Sequence, residues 1–257
     1  MRDHAYASLV GTAVGDAFGA NLGWRWTDDT EMACSVFHVL DNHGHVDQDA
    51  LAASFVAHHD VGRGYGAGID GMMREVGRGA NLRELARRSF GGTGSWGNGA
   101  AMRVAPLGAW FSGDPARAAA EAAASASVTH THPDGVAGAV AVAVPGDLFA
   151  EVLRHTPPGR VRDGVEKAAV LDVPPRDAAA TLGTGARVSA PDSVPFALWA
   201  AARHLDDYAG ALREVAALAD DVDTLCAIVG GVVAARVGVD GIPARWRASV
   251  EPLPNWV

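Results

Sequence analysis

Apolar residues along this chain recur mostly at the spacing of an amphipathic α-helix. In residues 225–233 and again in residues 33–40 they stand at i, i+3, i+4 and i+7, so that they share one helix face. The same pattern predicts further helices over residues 47–59, 66–78, 98–111, 115–127, 193–204 and 208–219. The alternation that marks strands is missing, and clusters of Gly and Pro separate the helical stretches. The pattern therefore predicts a compact all-α protein with a single domain over residues 1–257.

Small residues mark one side of the first predicted helix, where Gly11, Gly15 and Gly19 recur at every fourth position. In a lipid bilayer this spacing would favour a helix dimer, but the charged Asp16 stands among the glycines. We therefore expect the glycines to let this helix approach a neighbouring helix closely in the core of a soluble protein.

Composition and charge narrow the class of protein. Hydrophobic residues make up 49% of the chain and charged residues 20%, which is too apolar for a disordered protein. With 21 basic and 30 acidic residues the net charge is −9, which argues against a nucleic-acid polymer as partner. Lys167 is the one lysine, which leaves essentially no candidate for Schiff-base or P-loop lysine chemistry. Cys34 and Cys226 are expected to be buried thiols. No membrane span or signal peptide is recognisable, so we expect a cytoplasmic location.

Two acidic segments are the strongest candidates for chemistry. They are Thr27-Asp28-Asp29-Thr30 and Asp220-Asp221-Val222-Asp223-Thr224, and each begins a predicted helix. Caps and first-turn carboxylates would explain such residues by helix stability alone. However, the adjacent carboxylates concentrate more negative charge than capping needs, and like charges repel unless they are protonated or bridged by cations. Aspartate and threonine oxygens suit Mg²⁺ or Mn²⁺ better than zinc.

Two further segments are weaker signals. Gly94–Arg103 is not a Walker A loop, but Gly97 and Gly99 on either side of Asn98 would let backbone N–H groups approach a phosphate, unless the loop simply begins a helix. In Thr129–Pro133, His130 and His132 lack the further ligands of a zinc site. They either contact a ligand or lie at the boundary between a loop and a helix.

Taken together and in this order, the segments resemble the ADP-ribosylglycohydrolase family. The resemblance extends from residue 9 to about residue 253. The matching segments are Gly11-Thr12-Ala13-Val14-Gly15-Asp16-Ala17-Phe18-Gly19, Trp26–Thr30, Gly97–Arg103, Thr129–Pro133, Asp221–Thr224 and Ile242–Trp246.

The resemblance implies an all-α, multi-helix orthogonal bundle with a binuclear Mg²⁺ site, in which Mn²⁺ is also possible. Carried over by position, the implied metal ligands are Thr27, Asp28, Asp29, Asp221, Asp223 and Thr224. Ser95, Trp96, Gly97, Asn98 and Gly99 would line the cleft for ADP-ribose, and His130 or His132 would contact the ligand. The implied activity releases ADP-ribose by cleaving its glycosidic bond to an acceptor, with Asp28 or Asp29 as general base.

The chain departs from the family pattern in three places. Ala219-Asp220 stands where a Gly-Gly pair is frequent, and the helix that begins near Asp134 is cut short at Val144-Pro145-Gly146. Only residues 20–26 separate the glycine helix from Thr27, and Gly23 stands roughly where family members often have a glutamate that takes part in catalysis. Two interpretations of the short joins at Leu22–Gly23 and Val144–Pro145 are open. Either the sequence as printed lacks mobile segments there, which we favour, or the protein has truly lost the loop.

Two other functions remain open at this point. If the loop is truly lost, a non-catalytic ADP-ribose-binding protein is the runner-up. Acidic pairs with Mg²⁺ also serve phosphoryl transfer, so a metal-dependent nucleotide phosphohydrolase is the third interpretation. The acceptor is selected by loops at the rim of the cleft, and the motifs leave it open.

Overall fold

A computed structural model describes residues 1–257 and contains fifteen α-helices and no strand of a sheet, as the sequence predicts. The first eight are α1 (Arg2–Ala20), α2 (Asp28–His43), α3 (Gln48–His58), α4 (Ala67–Val76), α5 (Leu82–Arg88), α6 (Ala105–Trp110), α7 (Pro115–Ala126) and α8 (Pro133–Ala143). The others are α9 (Ala150–His155), α10 (Arg160–Val170), α11 (Pro175–Leu182), α12 (Ala190–Arg203), α13 (Tyr208–Ala216), α14 (Val222–Val237) and α15 (Ala244–Ser249). Short 3-10 helices cover Val61–Arg63, Ser89–Gly92, Asn98–Ala100 and Val239–Gly241.

Most predicted helices are present, but the one expected over residues 98–111 is wrong. The chain makes a 3-10 turn at Asn98–Ala100 and begins α6 only at Ala105. Pro106 explains the break, because proline has no N–H for the helix ladder and its ring collides with the carbonyl four residues earlier. Helices α5, α9 to α11 and α15 were not predicted; α5, α9, α11 and α15 have only six to eight residues, and helices this short show little periodicity.

Helices α1 and α14 pack against each other along the glycine side of α1, as predicted. A Cβ atom on Gly11 would lie 2.2 Å from Ala234 Cβ, and one on Gly15 would lie 2.2 Å from the carbonyl oxygen of Cys226. At the far end, a Cβ on Gly19 would lie 2.6 Å from Cα of Asp223. Glycine therefore sets how closely the backbones approach, and it brings the start of α14 against the end of α1.

The start of α2 is fastened to α1 by one buried carboxylate. Asp16 accepts hydrogen bonds from the backbone N–H groups of Thr27 (2.8 Å) and Thr30 (3.1 Å). It also accepts from the hydroxyl groups of the same two threonines, at 2.9 and 2.5 Å. The acidic starts of α2 and α14 are thus both held against α1, one by Asp16 and the other by the glycine side.

The remaining core is apolar and consists largely of Ala, Val and Leu, and both Cys34 and Cys226 are buried free thiols, as expected. No helix combines the length and the apolar character that crossing a bilayer requires.

Candidate active site

The acidic helix starts open on one cleft of about 450 Å³, which is within the size range of small-molecule sites. Three walls enclose most of it. The acidic wall is formed by Asp28, Asp29, Asp221, Asp223 and Thr224, the loop wall by Ser95, Trp96, Gly97, Asn98 and Gly99 with His130 behind it, and the remaining wall mainly by Gly64, Gly66, Gly68, Ile69 and Met72. The structure therefore brings together eleven of the thirteen site residues predicted from sequence, with Thr27 and His132 outside the lining.

Thr27 is the N-cap of α2, as the alternative interpretation of the first acidic segment predicts. Its hydroxyl accepts from the N–H of Asp29 at 3.4 Å. The same oxygen lies 2.9 Å from Asp16 and 3.1 Å from Asp29 Oδ2, although a hydroxyl has one proton to donate. Capping accounts for Thr27, but it leaves the carboxylates of Asp28 and Asp29 free to face the cleft.

The second acidic segment is not explained by capping. Asp221 stands at the N-cap position of α14, yet its side chain makes no cap hydrogen bond. Instead, its carboxylate accepts from the side-chain amide of Asn98 at 2.6 Å, and the same amide donates to Ser193 Oγ at 2.9 Å. Asp223 accepts from the N–H of Thr224 at 2.9 Å. Asn98 thereby joins the loop wall of the cleft to its acidic wall.

The carboxylates of the acidic wall have raised pKa values. Burial, together with the charges of Asp16 and Asp223, raises the pKa of Asp28 to about 7. Burial and the charge of Asp223 raise the pKa of Asp221 to about 6, against the hydrogen bond from Asn98. The pKa of Asp29 is raised well above its ordinary value, again by burial first and by its acidic neighbours next. Such a cluster favours either protons or cations.

The side chains of the acidic wall have the chemistry that a hard divalent cation prefers. Asp29 is only 2% exposed, and its Oδ1 is buried without any hydrogen-bond partner, which is the condition of a ligand atom that lacks its ion. All donors in the acidic wall are carboxylate or hydroxyl oxygens. Yet no three carboxylate, His or Cys side chains are arranged to hold one ion as they stand. The chemistry of the donor set therefore fits a hard cation, although three such side chains do not yet surround one point.

The loop wall is shaped by close backbone contacts. Gly97 pairs with Ser189 in an isolated β-bridge, and the N–H of Ala190 donates to the carbonyl of Trp96 at 3.0 Å. Trp96 is 37% exposed at the rim of the cleft, and its ring lies 5.0 Å from that of Phe90. This aromatic pair gives the rim of the cleft an apolar edge beside the acidic wall.

The two candidate histidines have different positions. His130 is buried and lines the cleft, whereas His132 is the N-cap of α8 and accepts from the N–H of Asp134 at 3.0 Å. Pro133 begins α8 directly after His132, so this imidazole matches the alternative prediction of a loop-to-helix boundary. Its ring still contacts Trp96, at 5.5 Å between centroids.

Sequence reasoning missed three contributors to the site. Asp16 was noticed only as a charge among glycines, and its capping role depends on partners in another helix. Arg187 and Val188 line the cleft from the segment before α12, where no motif is visible. Gly64 to Met72 supply a wall from α4 and the loop before it, whose glycines recur at every second position.

The short connection between α1 and α2 carries no acidic side chain. It runs over residues 21–27, and Asn21, Gly23 and Trp24 adopt positive φ angles of 52°, 68° and 68°. Glu31 is the nearest glutamate in the chain, but it is turned away and accepts from the N–H of Asp60 at 3.0 and 3.1 Å. Both interpretations of this join therefore stay predictions.

Comparison with known proteins agrees with the resemblance seen in the motifs. The family model described as ADP-ribosylglycohydrolase matches residues 1–257. The human ADP-ribosylhydrolase ARH3 is 27% identical over 272 residues, covering 88% of this chain and 74% of that protein. The ADP-ribosylarginine hydrolase Tri1 of Pseudomonas putida (strain GB-1) is 25% identical over 282 residues, covering 95% and 73%.

A solved structure described as an ADP-ribosylglycohydrolase-related protein complex has the same fold. It covers 97% of this chain with a TM-score of 0.63 and 23% identity, and 93% of its own chain is covered. Because the family model spans every residue, the chain belongs to the ADP-ribosylglycohydrolase family, and its enzyme class is that of a glycohydrolase acting on ADP-ribose linkages.

Proposed function

We propose that this protein hydrolyses the glycosidic bond between ADP-ribose and an acceptor with the help of divalent cations. The observation that carries the proposal is the convergence of two acidic helix starts and the Gly97–Gly99 loop on a single cleft. Hydrolysis adds the hydroxyl of water to the anomeric carbon, and the bond to the acceptor breaks as the acceptor atom takes up a proton. Free ADP-ribose and the unmodified acceptor are the products.

The proposed cofactor is a pair of Mg²⁺ ions, for which Mn²⁺ can substitute. The residues that would hold them are Asp28, Asp29, Asp221, Asp223 and Thr224 in the acidic wall, together with Thr27, the cap of α2 that directly precedes Asp28. Support comes from the partnerless Oδ1 of Asp29 and from the pKa of Asp28, which burial and then the charges of neighbouring aspartates raise. Bound divalent cations would neutralise these acids, orient ribose hydroxyl groups and lower the pKa of water.

The side chains of the cleft have distinct tasks in this proposal. Asp28 or Asp29 accepts the proton of the attacking water as general base. Gly97 and Gly99 leave room for the diphosphate of ADP-ribose beside the backbone of the loop, and Asn98 holds this loop in register with Asp221. Trp96 closes the apolar rim. A cytoplasmic location stays part of the prediction.

The test is release of ADP-ribose from a panel of defined substrates, with arginine-linked and serine-linked ADP-ribose first. We expect release in Mg²⁺ and a loss of at least about 100-fold in EDTA, which is the scale on which a general base and electrostatic stabilisation contribute. Asp28→Asn and Asp221→Asn should lose both cation binding and turnover. Asp240→Asn, at a fully exposed position, is the matched control. Full turnover in metal-free buffer would refute the proposal.

One observation favours a second function, that of a non-catalytic ADP-ribose-binding protein. Residues 20–26 contain no carboxylate, so the position of the family glutamate has no chemical substitute. Calorimetry with ADP-ribose distinguishes the two functions. Binding without release from any substrate would favour the binding protein, and phosphate release without free ADP-ribose would favour a phosphohydrolase.

A further inference from the structure

Arg103 is a fully buried cation, 0% exposed, that has no carboxylate partner. It ends the Gly97–Arg103 segment but does not line the cleft. One amino group donates to the carbonyl of Ser125 at 2.8 Å, and the guanidinium lies 4.6 Å from the centre of the Phe55 ring. Its pKa is lowered to about 9 by burial, so the group remains charged at neutral pH. Burying a charge without an ion pair costs folding free energy. The remaining hydrogen bonds of Arg103 indicate which groups the charge positions.

The other amino group of Arg103 donates to the hydroxyl of Thr129 at 2.9 Å and to the carbonyl of Gly99 at 3.3 Å. A guanidinium can only donate, so Thr129 must be the acceptor in this contact. The hydroxyl keeps one proton, and the one acceptor within reach is Nδ1 of His130, at 2.8 Å. Thr129 therefore donates to Nδ1, which leaves the proton of the neutral imidazole on Nε2.

Nε2 of His130 faces the ligand cleft. The ring lines the cleft, and Nε2 makes no hydrogen bond within the protein. A Cβ atom on Gly97 would lie 3.2 Å from Nε2 and one on Gly99 would lie 3.1 Å from it. Because both positions are glycine, no side chain covers this N–H on the loop side.

We propose that Arg103 and Thr129 form a buried relay that fixes His130 as a neutral Nε2–H donor to an acceptor oxygen of the ligand. Arg103 and Thr129 are positioning residues, and His130 is the group that contacts the ligand. A ring with its proton on Nε2 cannot take up a proton there or bind a metal through that atom, so His130 does not serve as the general base. The identity of the ligand as ADP-ribose rests on the proposed function, whereas the tautomer does not.

The charge of Arg103 also keeps the donor neutral. Burial and this neighbouring cation lower the pKa of His130 to about 3. The ring therefore presents the same N–H across the whole physiological pH range.

The test reads the tautomer directly in the free protein. Long-range proton–nitrogen NMR spectra of protein labelled with ¹⁵N-histidine distinguish Nδ1–H from Nε2–H rings, and His130→Asn identifies the resonances of His130. We expect an unprotonated Nδ1 and a protonated Nε2 from pH 5.5 to 8. An Nδ1–H tautomer, or a doubly protonated ring in that range, would overturn the relay.

Thr129→Val and Thr129→Ser form the matched pair of variants. Valine keeps the shape of threonine without the hydroxyl, so we expect mixed tautomers and an ADP-ribose Kd raised about tenfold, the effect of one hydrogen bond. Serine keeps the hydroxyl and should preserve both properties. A Thr129→Val protein with a lower Tm but an unchanged tautomer and Kd would reduce Thr129 to a structural role and overturn the proposal. If the wild type shows the Nε2–H tautomer and binds ADP-ribose but releases none, the proposed function fails while the relay stands.

Discussion

At the scale of single residues, Asp16 holds the start of α2 in place. Its carboxylate collects the N–H and hydroxyl groups of two threonines at the start of α2. These contacts fix the helix start from which Asp28 and Asp29 reach the cleft. Asp16 itself does not line the cleft, so its influence on the acidic wall passes through the position of α2.

We expect Asp16→Asn to lower both stability and Mg²⁺ affinity. The amide oxygen can take the place of Oδ2 and accept from both N–H groups, but the NH₂ group then replaces Oδ1 and can no longer accept from the Thr27 hydroxyl, and the negative charge is lost. Loss of hydrogen bonds to a buried charged group should cost about 2–3 kcal/mol of unfolding free energy, measured by urea titration. Calorimetric titration with Mg²⁺ should show weaker binding. The exposed Asp240→Asn variant should leave both quantities unchanged, and wild-type Mg²⁺ affinity in Asp16→Asn would contradict the positioning role.

The pKa of His130 gives a prediction about how the unfolding free energy depends on pH. Its pKa in the folded state is about 3, whereas the unfolded chain protonates the ring below about pH 6.5. The unfolded state therefore binds more protons in acid, and stability falls as the pH drops. From pH 7.5 to 5.5 this group should cost about 1.4 kcal/mol.

His130→Asn should remove that share of the pH dependence. Urea unfolding at pH 7.5 and 5.5 measures the difference, and His132→Asn, at the partly exposed start of α8, is the control. The same loss of stability between the two pH values in His130→Asn and the wild type would show that His130 is not buried in its neutral form.

At the scale of elements, the contact between α1 and α14 sets the distance between the two acidic helix starts. We expect Gly15→Ala to lower the unfolding free energy by about 2 kcal/mol, because the new Cβ would meet the carbonyl of Cys226 at 2.2 Å. Gly71→Ala is the matched control in α4. Its Cβ would have nothing within 4 Å, so stability should rise by about 0.5–1 kcal/mol from helix propensity. Thermal or urea unfolding checks both, and a stabilised Gly15→Ala would contradict the close approach.

Helix α1 also shows which parts of the architecture are visible in the sequence. The spacing of Gly11, Gly15 and Gly19 is a local pattern, and it predicted the close packing that the structure confirms. The contacts of Asp16 join residues 11 and 14 positions apart across a turn, and no periodicity reveals them. The break before α6 was visible in principle, because Pro106 stands inside the stretch predicted as one helix.

Most of the residues of the site were also predicted from local motifs. The acidic segments and the Gly97–Gly99 loop were found because they are concentrated in short motifs, and the structure brings them to one cleft. Spacing alone did not separate His130 from His132, because the difference depends on where α8 begins. Arg187 was missed since it is a single residue in a loop.

At the scale of the whole molecule, electrostatics sets the conditions for binding. The chain carries a net charge of −9, and four aspartates face the cleft that we assign to a ligand with an anionic diphosphate. Acid groups and diphosphate repel each other unless positive charge lies between them. Arg187 is the one basic side chain other than His130 in the lining.

ADP-ribose affinity should therefore depend on both sources of positive charge. EDTA should weaken binding strongly, and Arg187→Ala should raise the Kd about tenfold in Mg²⁺, as for loss of a charge-assisted hydrogen bond of about 1.4 kcal/mol. Arg176→Ala, an exposed change of the same charge on α11 away from the cleft, is the matched control. Calorimetry at two salt concentrations separates a local contact from the general field, because only the field is screened over a Debye length. Equal Kd values for the two variants would assign the effect to net charge, whereas a selective loss in Arg187→Ala would place the anionic part of the ligand beside that guanidinium.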